Sequence, residues 1–214
     1  MGTVLYDGSF VMELNTDRLF SVRDSIDWSK PQWLVLEECY RSVKDSQDWT
    51  ASISVGRPLR SNAVDVVERI GKDVLFWYQR DVFGPGRDTS IDRYGLIGLS
   101  TFNLSERKVI VTEGVSDFLS VKMCCPNLNV LGFTTLGGNL KSVKILLTLA
   151  DQFVFISDND FGKEKNTGLV NSMNLRKLYE SYGKKVTVLF PKSPNKDITQ
   201  QILNDIKIRS GYVK

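Results

Sequence analysis

Acidic residues at the ends of apolar, strand-like runs constrain this chain more than any other feature. Val109-Ile110-Val111 leads into Glu113-Gly114, with Asp117 just beyond; Phe153-Val154-Phe155-Ile156 leads into Asp158-Asn159-Asp160; and Lys185 to Leu189 precedes Lys196-Asp197. Helical patterns over Ser116–Met123, Lys141–Ala150, Gly168–Tyr182 and Ile198–Ile206 separate strand patterns over Lys108–Thr112, Asn129–Leu131, Phe153–Ser157 and Lys185–Leu189. This alternation of strand and helix predicts a parallel sheet flanked by helices. The strands of such a sheet finish on one edge, where loops collect ligands and catalytic groups. Glu113, Asp117, Asp158, Asp160 and Asp197 are therefore expected side by side. Crowded carboxylates repel one another and rise in pKa unless a divalent cation lies between them.

The ligand types narrow the choice of cation. The chain has no histidine, and its cysteines stand at Cys39, Cys124 and Cys125, so neither a zinc finger nor a His-based catalytic zinc can be assembled. Oxygen ligands remain, and they suit Mg²⁺ or Mn²⁺ held by one to three carboxylates with substrate phosphates completing the shell. Without histidine the Ser-His-Asp and Cys-His nucleophile systems are excluded as well. Taken singly, the acids have an ordinary reading, since Asp and Glu cap helices and favour the positive end of the helix dipole. Asp117 alone is a first-turn acid and Asp197 alone an N-cap for the helix that follows it.

The chain divides near residue 100 into a smaller mixed α+β unit, residues 1–100, and the alternating unit, residues 101–214. In the first, Asp7-Gly8 between apolar runs predicts a hairpin, and Pro31 opens a helix that runs to Val43. A short helix is expected from Asn62, with Gly71 just past its end. Val74 to Tyr78 reads as a strand ended by Phe83-Gly84-Pro85-Gly86, with one of Trp77 and Tyr78 turned into the core because strand neighbours face opposite ways. At 214 residues and 42% hydrophobic content the chain can bury one sizeable core, or a main core with a small appended one. No apolar run approaches the ~20 residues of a membrane span. The net charge of +3 permits a nucleic-acid partner through a local basic surface without demanding one.

The motif string resembles a Toprim domain, the catalytic core of topoisomerases, bacterial-type primases and some nucleases. Val111-Thr112-Glu113-Gly114-Val115-Ser116-Asp117 is similar to the primase form, in which E-G-x-x-D starts the site. The turn at Leu136-Gly137-Gly138, the Asp158-x-Asp160 pair and Lys196-Asp197 follow in the same order, so the resemblance covers Lys108 to about Asp205. It departs at Asp160 to Gly168, where the loop is longer and more basic than in primases and brings Lys163 or Lys165 within reach of a phosphate, or else leaves them solvated. Gln79-Arg80-Asp81, Arg87 and Arg93-Tyr94-Gly95 resemble, more loosely, the basic segment that precedes the primase core and holds template or nucleotide. Arg forks bind phosphate and aromatic faces stack on bases, while the plain alternative is surface charge.

The resemblance implies a Toprim-like α/β fold and a primase-like enzyme that makes short RNA primers on single-stranded DNA from nucleoside triphosphates. It implies Mg²⁺ or Mn²⁺ held by Glu113, Asp158, Asp160 and Asp197, with Asp117 orienting the site and Glu113 a candidate for acid-base work. Arg80, Arg87, Arg93, Tyr94, Lys163 and Lys196 are then the nucleotide- and DNA-binding candidates. The chain carries no zinc module and no G-x-x-x-x-G-K-[ST] phosphate loop, which makes a separate replicative helicase the expected partner and the cytoplasm of a bacterium or phage-infected host the expected setting. A Toprim nuclease, or a nucleic-acid-binding protein with an inactive site, are the alternatives; a topoisomerase needs a tyrosine-bearing domain for which no length remains.

Overall fold

The structure is a computed structural model that describes residues 2–6, 11–58, 62–84, 86–135, 138–160 and 166–212. Strands β1 (Thr3–Tyr6) and β2 (Val11–Leu14) pair antiparallel, but with Tyr6 opposite Val11, where a two-residue Asp7-Gly8 turn would set it opposite Ser9; residues 7–10 lie outside the described residues. Helices α1 (Asp17–Ser21) and α2 (Gln32–Val43) follow, the second with Pro31 at its N-cap. Next come β3 (Ile53–Gly56), β4 (Ala63–Ile70), β5 (Asp73–Asp81) and β6 (Arg87–Asp92), an antiparallel sheet in chain order. The remaining elements are β7 (Leu96–Ile97), β8 (Lys108–Thr112), α3 (Val115–Cys124), β9 (Val130–Phe133), α4 (Leu140–Leu149), β10 (Gln152–Ile156), α5 (Thr167–Ser181), β11 (Lys185–Leu189) and α6 (Ile198–Arg209). They build a five-stranded sheet of order β11-β10-β8-β9-β7, parallel except for β7, which runs antiparallel to β9.

The helix expected from Asn62 is a correction: Ala63 to Ile70 is strand β4. Val64, Val66 and Glu68 are buried while Asp65 and Val67 are half-buried, so the segment follows a period of two, and its valines lose less in a strand than in a helix. Gly71, with φ of +59°, serves the turn into β5 instead of a helix C-cap.

Period two also sorts the main sheet. Ile110 of β8 and Val154 and Ile156 of β10 join the cluster that holds Phe118 and Leu119 of α3 and Ile198 and Ile202 of α6. Their neighbours Val109, Val111, Phe153 and Phe155 face the other way, toward Leu146 of α4 and Leu175 and Tyr179 of α5. Helices on both faces explain why these strands read as unbroken apolar runs. The first cluster continues into the N-terminal half through Leu36 and Cys39 of α2, Ile53 of β3, Val66 of β4 and Phe76 of β5, so residues on both sides of position 100 share one core. At Gly132 in β9 the start of α3 comes so close that a Cβ would stand 2.7 Å from the Phe118 Cβ. Cys39 and Cys124 are buried free thiols.

Glu68 joins the two sheets. Its carboxylate, fully buried on β4, accepts from the Gly98 N–H (3.0 Å) and the Ser100 N–H (2.7 Å), in the turn that follows β7. Burial pushes its pKa up, and the backbone donors oppose that shift. Glu68→Ala removes the acceptor and strands two amides in a dry setting, for an expected loss of ~2–4 kcal/mol in urea unfolding. A loss below ~0.5 kcal/mol would show that the carboxylate does not tie the sheets together.

Candidate active site

The C-terminal ends of β8 and β10 lie side by side, because the parallel register sets Thr112 opposite Ile156. Glu113 therefore leaves one strand beside Ser157 and Asp158 leaving the other. At this edge the chain also reverses its direction of travel across the sheet: β8 connects to β9 on one side, and β10 lies on the other. Such a switch point opens a crevice at the carboxyl ends of the strands. Here the crevice is a cavity of about 520 Å³ lined by Glu113, Asp117, Asp158, Asp197, Lys196 and Arg80, together with parts of α2 and β5.

Each acid is set by a local device. Asp117 occupies the first turn of α3 and is buried, accepting from the Thr199 N–H (3.2 Å) and Thr199 Oγ1 (2.7 Å) at the start of α6. Ser120 Oγ lies 3.0 Å from the same Thr199 hydroxyl, so the two helix starts are joined through one buried threonine. Asp197 is the N-cap of α6 and accepts from the Gln200 N–H at 2.7 Å. Its capping role and its place on the cavity wall coexist. The Asn159 N–H donates to the Lys196 carbonyl at 2.6 Å, which ties the loop carrying Asp158 to the loop carrying Asp197. Gly168, buried in the first turn of α5, packs so closely on the Asp158 backbone that a Cβ there would run into its carbonyl oxygen.

The electrostatics follow from crowding. Burial, then the charges of Asp158 and Asp160, push the Glu113 carboxyl up to about 7, against hydrogen bonds from Ser157 and from the Asp158 backbone. Burial and the neighbouring Asp197 and Asp158 hold the Asp117 pKa well above the usual carboxylate range. Asp158 is raised by burial and by Asp197 and Asp160, and is opposed by Lys196, whose Nζ stands 3.7 Å from Oδ2. The opposite end of the sheet differs: there the exposed Asp151 meets Arg107 (2.9 Å) and Lys184 (2.7 Å), which hold its pKa down.

The residues singled out in the sequence divide as follows. Glu113, Asp117, Asp158, Asp197, Lys196 and Arg80 share the cavity. Asp160 is buried next to it, near enough to raise both Glu113 and Asp158. Arg93 and Tyr94 are not part of its wall: Arg93 is exposed after β6, and the Tyr94 ring lies 5.0 Å from Lys141 Nζ at the start of α4. The Arg87 backbone pairs with that of Arg80 across β5 and β6. Lys163, Lys165, Leu136 and Gly137 lie outside the described residues. Sequence reasoning missed Thr199, Gln32 and Trp33. The first is an ordinary helix-start threonine until Asp117 is seen beside it, and the other two reach the cavity from a helix 80 residues before Glu113, by number.

As a donor set for an ion, the site is all oxygen and carries mutual repulsion that a dication relieves, which suits a hard metal. Among the described residues no three acidic or cysteine side chains are grouped to hold an ion unaided. Mg²⁺ is commonly bound through one or two carboxylates with water and substrate phosphates, so one or two of Glu113, Asp158 and Asp160 would supply only part of a shell.

Solved structures share this fold. The chain matches the primase fragment of the bacteriophage T7 primase-helicase protein with a TM-score of 0.54 at 17% identity, over 76% of this chain and 66% of that one. It matches a DNA primase domain from Pseudomonas aeruginosa at 0.51 and 16% identity, over 78% and 55%. A DnaG primase catalytic domain bound to single-stranded DNA aligns at 0.51 and 14% identity, over 81% and 57%. The chain thus has the fold of primase catalytic cores and spans a little over half the length of these last two structures. No family model and no curated protein sequence matches it.

The raised Glu113 carboxyl carries a sign. With a folded pKa of about 7 against 4.5 unfolded, its protonated form adds stability below pH 4.5, and that contribution is lost as pH rises through 7. In chelated, metal-free protein Glu113→Gln is therefore expected to be more stable than the parent at pH 8, by up to ~3 kcal/mol. The gap should close toward pH 4.5. Guanidinium unfolding at the two pH values measures it, and equal gaps at both would contradict a carboxyl raised by burial and neighbouring charge.

Proposed function

We propose that this chain is a primase-type nucleotidyltransferase that joins nucleoside triphosphates into short RNA on a single-stranded DNA template. The observation that carries this reading is the convergence of Glu113, Asp117, Asp158 and Asp197, from separate segments of the chain, on one cavity that also holds Arg80 and Lys196. Acids on one part of a wall and phosphate-binding cations on another are what phosphoryl transfer needs. The shared fold with primase cores supports the choice among Toprim activities, and one of those cores is bound to single-stranded DNA. A neighbour described as a primase-helicase supports a helicase partner, here on a separate chain. In this reading residues 101–214 carry the chemistry, residues 1–100 hold template and nucleotide, and the enzyme works in the cytoplasm; no helix of the described residues is long and apolar enough to cross a membrane.

Glu113, Asp158, Asp160 and Asp197 would hold Mg²⁺ or Mn²⁺, with Asp117 orienting the site through Thr199. The bound ions would lower the pKa of an attacking hydroxyl and neutralise charge on leaving oxygens. The protein's own groups do the rest. Lys196 and Arg80 bind the triphosphate oxygens and aim the α-phosphate at the primer 3′-hydroxyl. Glu113, where it is not itself a ligand of the ion, takes the proton from that 3′-oxygen as it attacks, and pyrophosphate departs. Asp158, paired at 3.7 Å with Lys196, keeps the acidic and basic parts of the wall in register.

The assay is incubation with Mg²⁺ or Mn²⁺, single-stranded DNA and labelled nucleoside triphosphates. Short labelled oligomers are expected from the parent, and at least ~100-fold less from Glu113→Gln or Asp158→Asn, both folded by circular dichroism. Shortened template would mark a nuclease instead, and binding without product an inactive site. Full activity in either variant removes that residue from the mechanism.

A further inference from the structure

Part of the cavity wall has no role in the chemistry so far. Gln32 and Trp33, from the first turn of α2, and Tyr78 of β5 form it, next to the Arg80 already placed on the phosphates. Phe76 and Tyr78 stand two residues apart on one strand, hence on one face, and their rings stack 6.1 Å apart at 12°. Trp33 continues the series, its ring centroid 5.6 Å from that of Tyr78 at a tilt of 36°. Exposure grades along the same line: Phe76 is fully buried, Tyr78 is 8% exposed, and Trp33 is half-buried at the cavity. Packing thus anchors the Trp33 ring from the core side, and Trp33 is one of the residues that line the cavity. A rigid aromatic surface beside a phosphate-binding cation matches a nucleotide, with the base against the ring and the phosphates toward the guanidinium. Gln32, exposed next to Trp33, presents a carboxamide with donors and an acceptor, which suits the edge of a base. A cavity of about 520 Å³ is large enough for one nucleotide.

We propose that Trp33 is a stacking platform for a nucleobase, that Gln32 contacts the edge of that base, and that Arg80 directs the attached phosphates toward Glu113 and Asp158. The inference rests on the nucleotidyl-transfer reading and adds to it the seat of the base. The base belongs either to the incoming nucleotide or to the template strand, and both present the same planar ring on a phosphorylated sugar.

Calorimetric titration of the full chain in Mg²⁺ with each of the four nucleoside triphosphates, with a single-stranded oligodeoxynucleotide and with inorganic tripolyphosphate tests this. Trp33→Leu, which keeps an apolar side chain but has no π face, is expected to weaken nucleoside triphosphate binding about tenfold. Trp33→Phe should recover most of that loss, and tripolyphosphate should bind the parent and both variants alike. Weakened oligonucleotide binding with unchanged nucleoside triphosphate binding assigns the seat to the template base. The proposal is overturned if Trp33→Leu binds nucleotide and oligonucleotide as the parent does, or if tripolyphosphate binding falls in parallel, which marks a purely structural ring. Gln32→Ala, at an exposed position, gives a second arm that does not depend on the fold tolerating Trp33→Leu. Its expected effect is a change in the ratio of affinities among the four bases, and an unchanged ratio removes Gln32 from the seat. Failure of the underlying reading looks different, because the parent itself would then bind no nucleotide and make no oligomer.

Discussion

The parallel pairing of β8 with β10 is the constraint on which the site depends. It sets Thr112 against Ile156, so the chain must leave the sheet at two adjacent points, and at each the first ionisable side chain is an acid. The pairing is in turn held from both faces, by α3 and α6 through Ile110, Val154 and Ile156 and by α4 and α5 through Val109, Val111, Phe153 and Phe155. A slip of one residue would exchange the two sets and move the acids out of register. The electrostatic cost of the crowded edge is thus borne by apolar packing below it, in the manner of functional sites that hold unfavourable groups in place.

The two ends of the sheet show that this cost is local. At the N-terminal end of the strands, Asp151 sits exposed between Arg107 and Lys184, a solvated network that contributes little. At the C-terminal end Glu113, Asp117 and Asp158 are withdrawn from water and raised further by neighbouring acids, Asp158, Asp160 and Asp197 among them, with Lys196 the basic group paired to Asp158. Thr199 and Ser120 supply the neutral hydrogen bonds that let Asp117 remain buried there. This unequal distribution of charge is what the proposed binding of cations and phosphates would use.

Much of this was legible along the chain, and the rest had physical reasons to be hidden. The four parallel strands and their helices were readable because each strand is apolar on both faces and each connection carries a helical period. Segment 63–70 misled because Asn62 and Gly71 look like helix punctuation, whereas alternate burial of Val64, Val66 and Glu68 between two neighbouring strands decided the outcome. Of Trp77 and Tyr78, strand alternation required one to turn inward but could not choose; packing against Phe76 and Trp33 selected Tyr78. Arg80 and Arg93 were similar candidates by composition. Arg80 reaches the cavity from a long strand, while Arg93 falls in the bend after β6 and stays in solvent.

The amino-acid order by itself determined the fold class and the identity of the acids, because hydrophobic periodicity and residues at strand ends are local properties that survive any arrangement of the distant parts. It determined too that neither a zinc finger nor a histidine-based metal site is available, since the chain has no histidine and its three cysteines stand at positions 39, 124 and 125. The tertiary structure alone decided which far-apart residues complete the wall. Gln32, Trp33 and Tyr78 arrive there because α2 and the antiparallel sheet share the core of α3, and Thr199 meets Asp117 because α3 and α6 cover the same face. Such meetings depend on burial shared between segments remote in sequence, and no pattern within a single segment encodes them.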